Sequence, residues 1–314
     1  MTVGVRTTGA RTTGGPAVGA QRGRAGAATA VRRRVCAVDG RCQWFYGAPD
    51  ARLRPGVGVY RGYRSPAGVP QERLVVPTGR VSLLIGFGGS GGRLRVHGAT
   101  GRASGASLVS GLHTRARVLD HGGDLHGVEV TLTPWTARRI FDAPLADLAD
   151  TLLDPADVLG PQARHLADAL ADAPDWPARF ALLDAALLRW NARAADGGRA
   201  GRPDPAVLEA WRLLERASGD LRVRDLAAAT GWSPRHLQSR FQAELGLSPK
   251  QLAQVLRLGR AVRELSAGTP AAAVATRCGF YDQAHLSRAF NGFTGLPPGR
   301  FLARRAAASA WLAG

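Results

Sequence analysis

The sequence predicts an α+β fold: a small β-sandwich or barrel followed by helices, then an all-α domain with two helix-turn-helix units. Between Trp44 and Trp135, short runs rich in Val, Leu and Ile are separated by Gly, Pro and Thr, which is typical of short strands. After Pro134 the apolar residues recur with helical spacing. Towards the C-terminus, one helix-turn-helix pattern occurs twice.

Six strands are expected in the first region, at residues 73–76, 81–87, 94–97, 107–112, 117–119 and 127–132. Pro134 ends the last of them, because proline cannot donate to a strand ladder. The run from Gly86 to Gly91 has the glycine spacing of a dinucleotide-binding loop. A strand pattern follows it, whereas phosphate binding needs a helix N-terminus there, so we expect a hairpin loop.

Three helices are expected next, at residues 144–153, 162–173 and 177–193. The third carries a stripe of large apolar side chains: Phe180, Leu183, Leu187 and Trp190. Such a stripe can pair two subunits or pack against the chain's own sheet, and the pattern leaves both interpretations open.

The C-terminal repeat is the most specific pattern in the chain. His236-Leu-x3-Phe241 returns 49 positions later as His285-Leu-x3-Phe290. In both copies the phenylalanine is followed by x4-Gly-Leu-x-Pro. Each copy predicts a helix, a glycine-containing turn and a second helix.

The second helix of the first copy has clear start signals and two distinct faces. Ser233 suits an N-cap and Pro234 the first helical position. Leu237 and Phe241 are four residues apart, so they share one face that can pack. The polar residues lie largely on the other side, where they can contact another molecule: Arg235, Gln238, Ser239 and Gln242.

Residues 205–302 resemble the DNA-binding domain of AraC/XylS-type transcriptional regulators. The signature of this family lies in the second unit and is carried here by Arg257-Leu-x2-Ala-x3-Leu265, Val274-Ala-x3-Gly-Phe-x5-Leu-x3-Phe290 and Gly295-x2-Pro298. The resemblance implies two helix-turn-helix units held by a connecting helix and a cupin-like effector domain before them. It also implies that the protein binds promoter DNA and activates transcription.

The resemblance also implies which residues contact DNA. In the first unit they are Arg235, Gln238 and Ser239, and in the second they are Gln283, Ala284, His285 and Arg288. Arginine can bond guanine O6 and N7, glutamine can pair with adenine, and alanine can touch only a thymine methyl group. We expect about half of these residues to contact the DNA backbone rather than bases. Two recognition helices in one chain predict a site of two successive major grooves about 34 Å apart.

Together these features divide the chain into four parts. Residues 1–40 are expected to form a disordered basic tail, because they contain few large apolar side chains. Residues 41–193 are the expected sensor and dimerisation domain, and residues 194–204 a glycine-rich linker. Residues 205–308 are the expected DNA-binding domain.

The charge supports a polyanionic partner. The chain carries a formal net charge of +18. Residues 205–314 alone hold fifteen Arg or Lys against seven Asp or Glu. The expected partners are double-stranded promoter DNA, RNA polymerase, an unidentified small-molecule effector and a second copy of the chain. No run is long and apolar enough to span a membrane, so we expect a cytoplasmic protein.

Two other functions remain as alternatives. Some relatives of the family carry a zinc–cysteine domain that repairs methylated DNA phosphate, and Cys36 or Cys42 could serve that reaction. Such a site needs four thiolates, however, and only these two lie nearby. The other alternative is a constitutive DNA-binding protein without an effector.

No catalytic, cofactor or metal site is expected. His121-x4-His126-x2-Glu129 offers ligand-type side chains, but we interpret the histidines, together with His97 and His113, as residues at strand ends. We find no arrangement of nucleophile and base or of paired carboxylates that would indicate a hydrolase.

Overall fold

The computed structural model describes residues 31–35, 42–88, 92–98, 101–195 and 202–309. It confirms the predicted fold class: an N-terminal antiparallel β domain with trailing helices, and an all-α C-terminal domain with two helix-turn-helix units. The basic tail falls largely outside the described residues. Arg32–Val35, however, forms a strand, contrary to the prediction that residues 1–40 lack structure. Backbone pairing with the next strand orders it without needing apolar side chains.

The described residues form nine strands in one antiparallel sheet. The strands are β1 Arg32–Val35, β2 Gln43–Gly47, β3 Tyr60–Val75, β4 Val81–Gly86, β5 Leu94–Gly98, β6 Gly101–Gly105, β7 Leu108–Ser110, β8 Arg117–Leu132 and β9 Leu152–Leu153. β8 lies at the centre. It pairs with β3 on one edge, and with β5 and then β4 on the other.

The sheet curls around its own apolar cluster. One branch runs β8-β4-β7-β9 and the other β8-β5-β6, and β6 contacts β9 where the branches meet. The inner face buries side chains that all come from the sheet or the residues flanking it: Trp44, Tyr63, Leu84, Leu94, Val96, Leu108, Leu119 and Leu125. Alternate residues point to the outer face. Val81, Leu83 and Ile85 of β4 therefore pack against helices instead.

Twelve helices accompany the sheet in the described part of the chain. Those of the N-terminal domain are α1 Pro134–Phe141, α2 Leu145–Leu148, α3 Pro155–Leu159, α4 Gln162–Asp172 and α5 Trp176–Ala195. Those of the C-terminal domain are α6 Pro205–Arg216, α7 Val223–Thr230, α8 Pro234–Leu245, α9 Pro249–Ser266, α10 Ala271–Arg277, α11 Gln283–Thr294 and α12 Pro298–Ser309.

The apolar stripe of α5 packs within its own chain. Phe180, Leu183, Leu187 and Trp190 are all buried in the cluster that covers the outer face of the sheet. Trp190 also donates a hydrogen bond from Nε1 to Gln162 of α4 at 2.6 Å. This stripe is therefore not available to pair two subunits.

The structure corrects the helix predicted at residues 144–153. Only α2 forms there, and Asp150 then adopts a left-handed backbone conformation with φ of 55°. Leu152 and Leu153 pair with β7 as strand β9. Strand pairing at the sheet edge thus overrides the helical pattern of the sequence. After Gly86 a strand follows as expected, but β4 and β5 both pair with β8 and do not form a hairpin with each other.

The N-terminal domain contacts both helix-turn-helix units of the C-terminal domain. The outer cluster of the sheet is continuous with the core around α8, and Trp135 of α1 meets Trp211 of α6 edge to face at 6.3 Å. At the second unit, the Ala116 N–H donates to the Phe293 carbonyl at 2.8 Å. Glu72 of β3 forms an ion pair with Arg304 of α12.

Gly246 lies at a further contact between the domains, and Gly295 offers a matched control for it. It ends α8 with φ of 71°, and an added Cβ would lie 2.2 Å from the Ala149 Cβ after α2. Gly295 ends α11 with φ of 74°, but its Cβ would meet open space. Left-handed backbone costs a non-glycine residue about 1–2 kcal/mol.

We therefore expect Gly295→Ala to lower the free energy of unfolding by about 1–2 kcal/mol. Gly246→Ala should cost more, because Ala149 must also move. Urea denaturation of both variants measures the difference. Equal losses would show that the Ala149 contact does not hold the domains together in solution.

Burial keeps three histidines of the β domain neutral. It lowers the pKa of His113, His121 and His126 to about 4, from an ordinary value of 6.5. The Nδ1 atom of His113 lies 2.8 Å from the Arg115 carbonyl, in the loop that contacts α11. Between pH 6.5 and 4 the unfolded chain binds more protons than the folded chain, so acid favours unfolding.

Stability should therefore fall as the pH is lowered from about 6.5 towards 4, by at most about 1.4 kcal/mol per pH unit for each histidine. His113→Gln should flatten this slope. Denaturation at several pH values measures both slopes. An unchanged slope in His113→Gln would contradict a neutral buried His113.

Candidate nucleic-acid interface

The first helix-turn-helix unit consists of α7, a turn and α8. Gly231 ends α7 with φ of 72°. Ser233 caps α8, where its hydroxyl accepts the His236 N–H at 3.2 Å, and Pro234 occupies the first turn as predicted. Leu237 and Phe241 are fully buried. One side of α8 is thereby fixed in the core and the other side faces solvent.

The second unit repeats this construction with α10 and α11. Gly279 makes the turn with φ of 68°. The Asp282 carboxylate accepts the His285 N–H at 2.6 Å, which makes it the N-cap predicted from the sequence. Leu286 and Phe290 are fully buried, as are their counterparts in the first unit.

All seven residues predicted to contact DNA are solvent-exposed: Arg235, Gln238, Ser239, Gln283, Ala284, His285 and Arg288. Within each unit, one arginine is engaged with carboxylates and another is not. Arg240 lies 3.4 Å from both Asp204 and Glu244, and Arg277 lies 3.1 Å from Glu264. Neither Arg235 nor Arg288 forms an ion pair with another described residue, which leaves both guanidinium groups available for a ligand.

A family model described as a helix-turn-helix domain matches residues 226–304. The chain is also 34% identical over 110 residues to an AraC-like transcription regulator of Streptomyces antibioticus. That match covers 34% of this chain and 36% of the relative. The C-terminal domain is an AraC-type helix-turn-helix domain.

Other similar proteins are matched over varied lengths. The helix-turn-helix-type transcriptional regulator YbfI of Bacillus subtilis is 31% identical over 74 residues, which are 24% of this chain and 27% of YbfI. This chain therefore spans about a third of the length of the curated relatives it matches. The crystal structure of ToxT from Vibrio cholerae is 10% identical, covering 80% of this chain and 98% of ToxT, with a TM-score of 0.46. The C-terminal domain of AraT from Geobacillus stearothermophilus is 28% identical, covering 33% of this chain and 89% of that domain, with a TM-score of 0.32.

In the AraC-type domain, α9 joins the two units and begins with a capping box between Ser248 and Gln251. Its residues belong to both cores: Leu252 packs with the first unit, and Val255 and Leu258 with the second. A single continuous helix thus carries apolar contacts to each unit. It limits how far the recognition helices α8 and α11 can move apart.

Glu244 connects α8 with the N-terminal domain. Its carboxylate accepts the backbone N–H of Asp204 at 3.1 Å and lies 3.6 Å from the Arg138 guanidinium of α1. The glutamate is nearly buried on the side of α8 opposite to Arg235. The ion pair with Arg138 therefore attaches the first recognition helix to the N-terminal domain, on the side opposite to its exposed polar face.

The turn residues of the AraC-type domain show features that sequence reasoning missed. Trp232 and Phe280 precede the recognition helices, and each packs edge to face on a histidine, His236 at 4.5 Å and His285 at 5.5 Å. His285 also accepts the Tyr281 N–H at 3.3 Å, so its ring supports the turn. An aromatic residue shortly before each histidine was the available signal, four residues before His236 and five before His285.

The sequence predicts His121 and His126 at strand ends, but both lie within the long strand β8, because pairing with β3 continues through the polar segment between the two expected strands. His121 lines the inner face of the sheet, whereas His126 packs on Phe87 and Trp176 of the outer side. Opposite faces of β8 cannot share one metal ion. No cluster of potential metal ligands occurs among the described residues. Within that same part of the chain, no helix has the length and apolar character needed to span a membrane.

The methyltransferase alternative loses support at one of its cysteines. Cys42 is only 2% exposed, and its Sγ lies 3.5 Å from the Ser65 hydroxyl beneath the sheet. A DNA phosphate could not reach this thiol without opening the β domain. Cys36 lies outside the described residues.

The two helix-turn-helix units have different cores, so truncation of the equivalent phenylalanine in each should have a different effect on stability. Replacement of a buried phenylalanine with alanine costs about 3–5 kcal/mol. Phe241 belongs to the cluster shared with the β domain, whereas Phe290 belongs to the separate cluster of the second unit. We expect Phe241→Ala to lower the stability of the whole molecule.

Phe290→Ala should instead unfold α10–α12 at lower denaturant than the rest of the chain. Hydrogen exchange of the two variants distinguishes these patterns. Loss of protection throughout the β domain in Phe290→Ala would contradict separate cores.

Proposed function

We propose that this protein is a sequence-specific, DNA-binding transcriptional regulator that contacts two successive major grooves through α8 and α11. The duplicated geometry supports this proposal most strongly. Each recognition helix buries a Leu-x3-Phe pair and exposes polar side chains on the opposite side. Two such helices joined by α9 suit an asymmetric site read by one chain.

Arg235 and Arg288 have the main base-reading roles in this proposal. Their guanidinium groups are exposed and can bond guanine O6 and N7. Gln238 and Gln283 can pair with adenine, whereas Ala284 can only touch a thymine methyl group. Ser239 and His285 are assigned to the interface as shorter-range contacts. Because Ala284 cannot form a hydrogen bond with a base, the second unit reads fewer bases than the first.

The inner face of the β sheet is the proposed effector site. A cavity of about 420 Å³ opens at its edge and is lined by Arg32, Tyr46, Val59, Arg61, Thr78, Glu129 and Thr131. Although burial alone would raise the pKa of Glu129, the nearby Arg61 and Arg73 lower it to about 2. Deeper along the same face, the Tyr63 hydroxyl is buried and has no hydrogen-bond partner among the described residues. A small polar effector could satisfy that hydroxyl and compete for Arg61.

A short path connects this cavity with the DNA-binding domain. Arg73 of β3 contacts Glu129 at 3.3 Å, and the adjacent Leu74 packs against the core of the second unit. Val76 packs there too. If β3 moves when an effector binds, Leu74 and Val76 would therefore transmit the movement directly to the core under α11. The alternative is a constitutive DNA-binding protein, whose affinity for DNA would not change with any ligand of the β domain.

Selection of bound sequences from random DNA tests the proposed readout. Wild type should enrich two sequence blocks separated by one helical turn. Arg235→Ala should relax one block and Arg288→Ala the other, each with a loss of about 1–3 kcal/mol at its own block. Arg240→Ala and Arg277→Ala are matched controls in the same units, because those arginines are engaged with carboxylates.

The controls should retain both blocks. If wild type enriches only a salt-sensitive background, the exposed face is an electrostatic surface and the proposal is wrong. If both arginine variants relax the same block, the two units do not read separate grooves.

A further inference from the structure

A cleft of about 260 Å³ lies where the two domains meet, and its lining includes no residue of α8, α11 or the inner face of the sheet. The N-terminal domain contributes the short 3₁₀ turn at Ala51–Leu53 and helices α1 and α5. The C-terminal domain contributes α6 and Pro203, which precedes the N-cap of α6. The polar and charged side chains that line it are Arg52, Arg54, Thr133, Thr136, Arg138, Arg139, Asn191 and Arg212.

The charge of this cleft is one-sided. Five arginines line it, and none of its described lining residues carries a carboxylate. Three of the five reach acids outside the lining: Arg52 pairs with Asp50, Arg138 with Glu244 and Arg212 with Glu209. Arg54 and Arg139 form no ion pair with any described residue. Two guanidinium groups thus remain for a ligand.

One residue that lines the cleft, Trp135, carries a buried hydrogen-bond donor. The indole Nε1 of Trp135 has no hydrogen-bond partner among the described residues, and Trp135 is only 9% exposed. This group is a donor only, so an acceptor is the one kind of partner that satisfies it. A buried N–H without an acceptor is costly, and an anionic oxygen is the strongest acceptor available to it.

We propose that this cleft binds a small organic or inorganic polyanion, carrying at least two carboxylate or phosphate groups. Arg54 and Arg139 bind its anionic oxygens, and Trp135 donates a hydrogen bond to one of them. Arg212 of α6 lines the same cleft, so an anion that extends from Arg54 and Arg139 to Arg212 contacts both domains. The ligand therefore stabilises this arrangement of the domains, independently of an effector on the inner face of the sheet.

Thermal unfolding and titration calorimetry of the full chain, without DNA, test this proposal. The probes are citrate and inorganic pyrophosphate, with acetate at equal ionic strength as the monoanion control. At 100-fold excess over Kd, citrate or pyrophosphate should raise Tm by about 5 °C. The Arg54→Gln/Arg139→Gln double variant should lose about tenfold or more in affinity for the polyanions.

Two further variants locate the effect. Trp135→Phe keeps an aromatic ring but removes the N–H, so it should weaken polyanion binding without reducing it to the acetate level. Arg164→Gln removes an exposed arginine of α4 outside the cleft and should bind like wild type.

Equal Tm shifts with acetate, or equal losses in Arg164→Gln, would mean general screening of a basic chain and would overturn the proposal. It would also be overturned if the probes failed to bind while the double variant weakened DNA binding uniformly across sequences. That result would assign the cleft arginines to DNA phosphates instead.

Discussion

The packing of one leucine and one phenylalanine beneath each recognition helix determines what the C-terminal domain can do. Because Leu237 and Phe241 are four residues apart and fully buried, the rotation of α8 about its axis is fixed. Leu286 and Phe290 fix α11 in the same way. The polar side chains of both helices are then directed to solvent by the packing of the helices themselves. A preformed surface of this kind loses little conformational entropy on binding, which favours both affinity and selectivity.

The same packing makes the two units unequal. The core under α8 continues into the outer face of the β sheet. The core under α11 is a separate cluster, to which the described part of the β domain contributes Leu74 and Val76. The first unit is accordingly part of the main body of the molecule. The second is attached through α9, the Ala116–Phe293 hydrogen bond and the Glu72–Arg304 ion pair. An effector that moves β3 would act mainly on the second unit.

The sequence predicts the helix-turn-helix units well because their signals are local. Caps such as Ser233 and Asp282 and glycines at positive φ operate within a few residues and need no knowledge of the tertiary fold. The β domain is less predictable. The central parts of β3 and β8 are polar or glycine-rich and become strands only by pairing with each other, and β9 forms only because β7 lies beside it. The arginine cleft cannot be predicted at all, since Arg54, Arg139 and Arg212 meet only in the folded chain.

In the proposed complex, α8 and α11 bind two grooves at once, at a distance fixed by α9. Affinity for a selected DNA site whose two blocks are moved apart tests it most directly. Insertion of about five base pairs turns one block to the opposite side of the helix, and insertion of about ten returns it one turn further away. Both insertions should reduce affinity to that of a single block, because α9 cannot lengthen. Unchanged affinity with either spacing would contradict simultaneous binding by the two recognition helices.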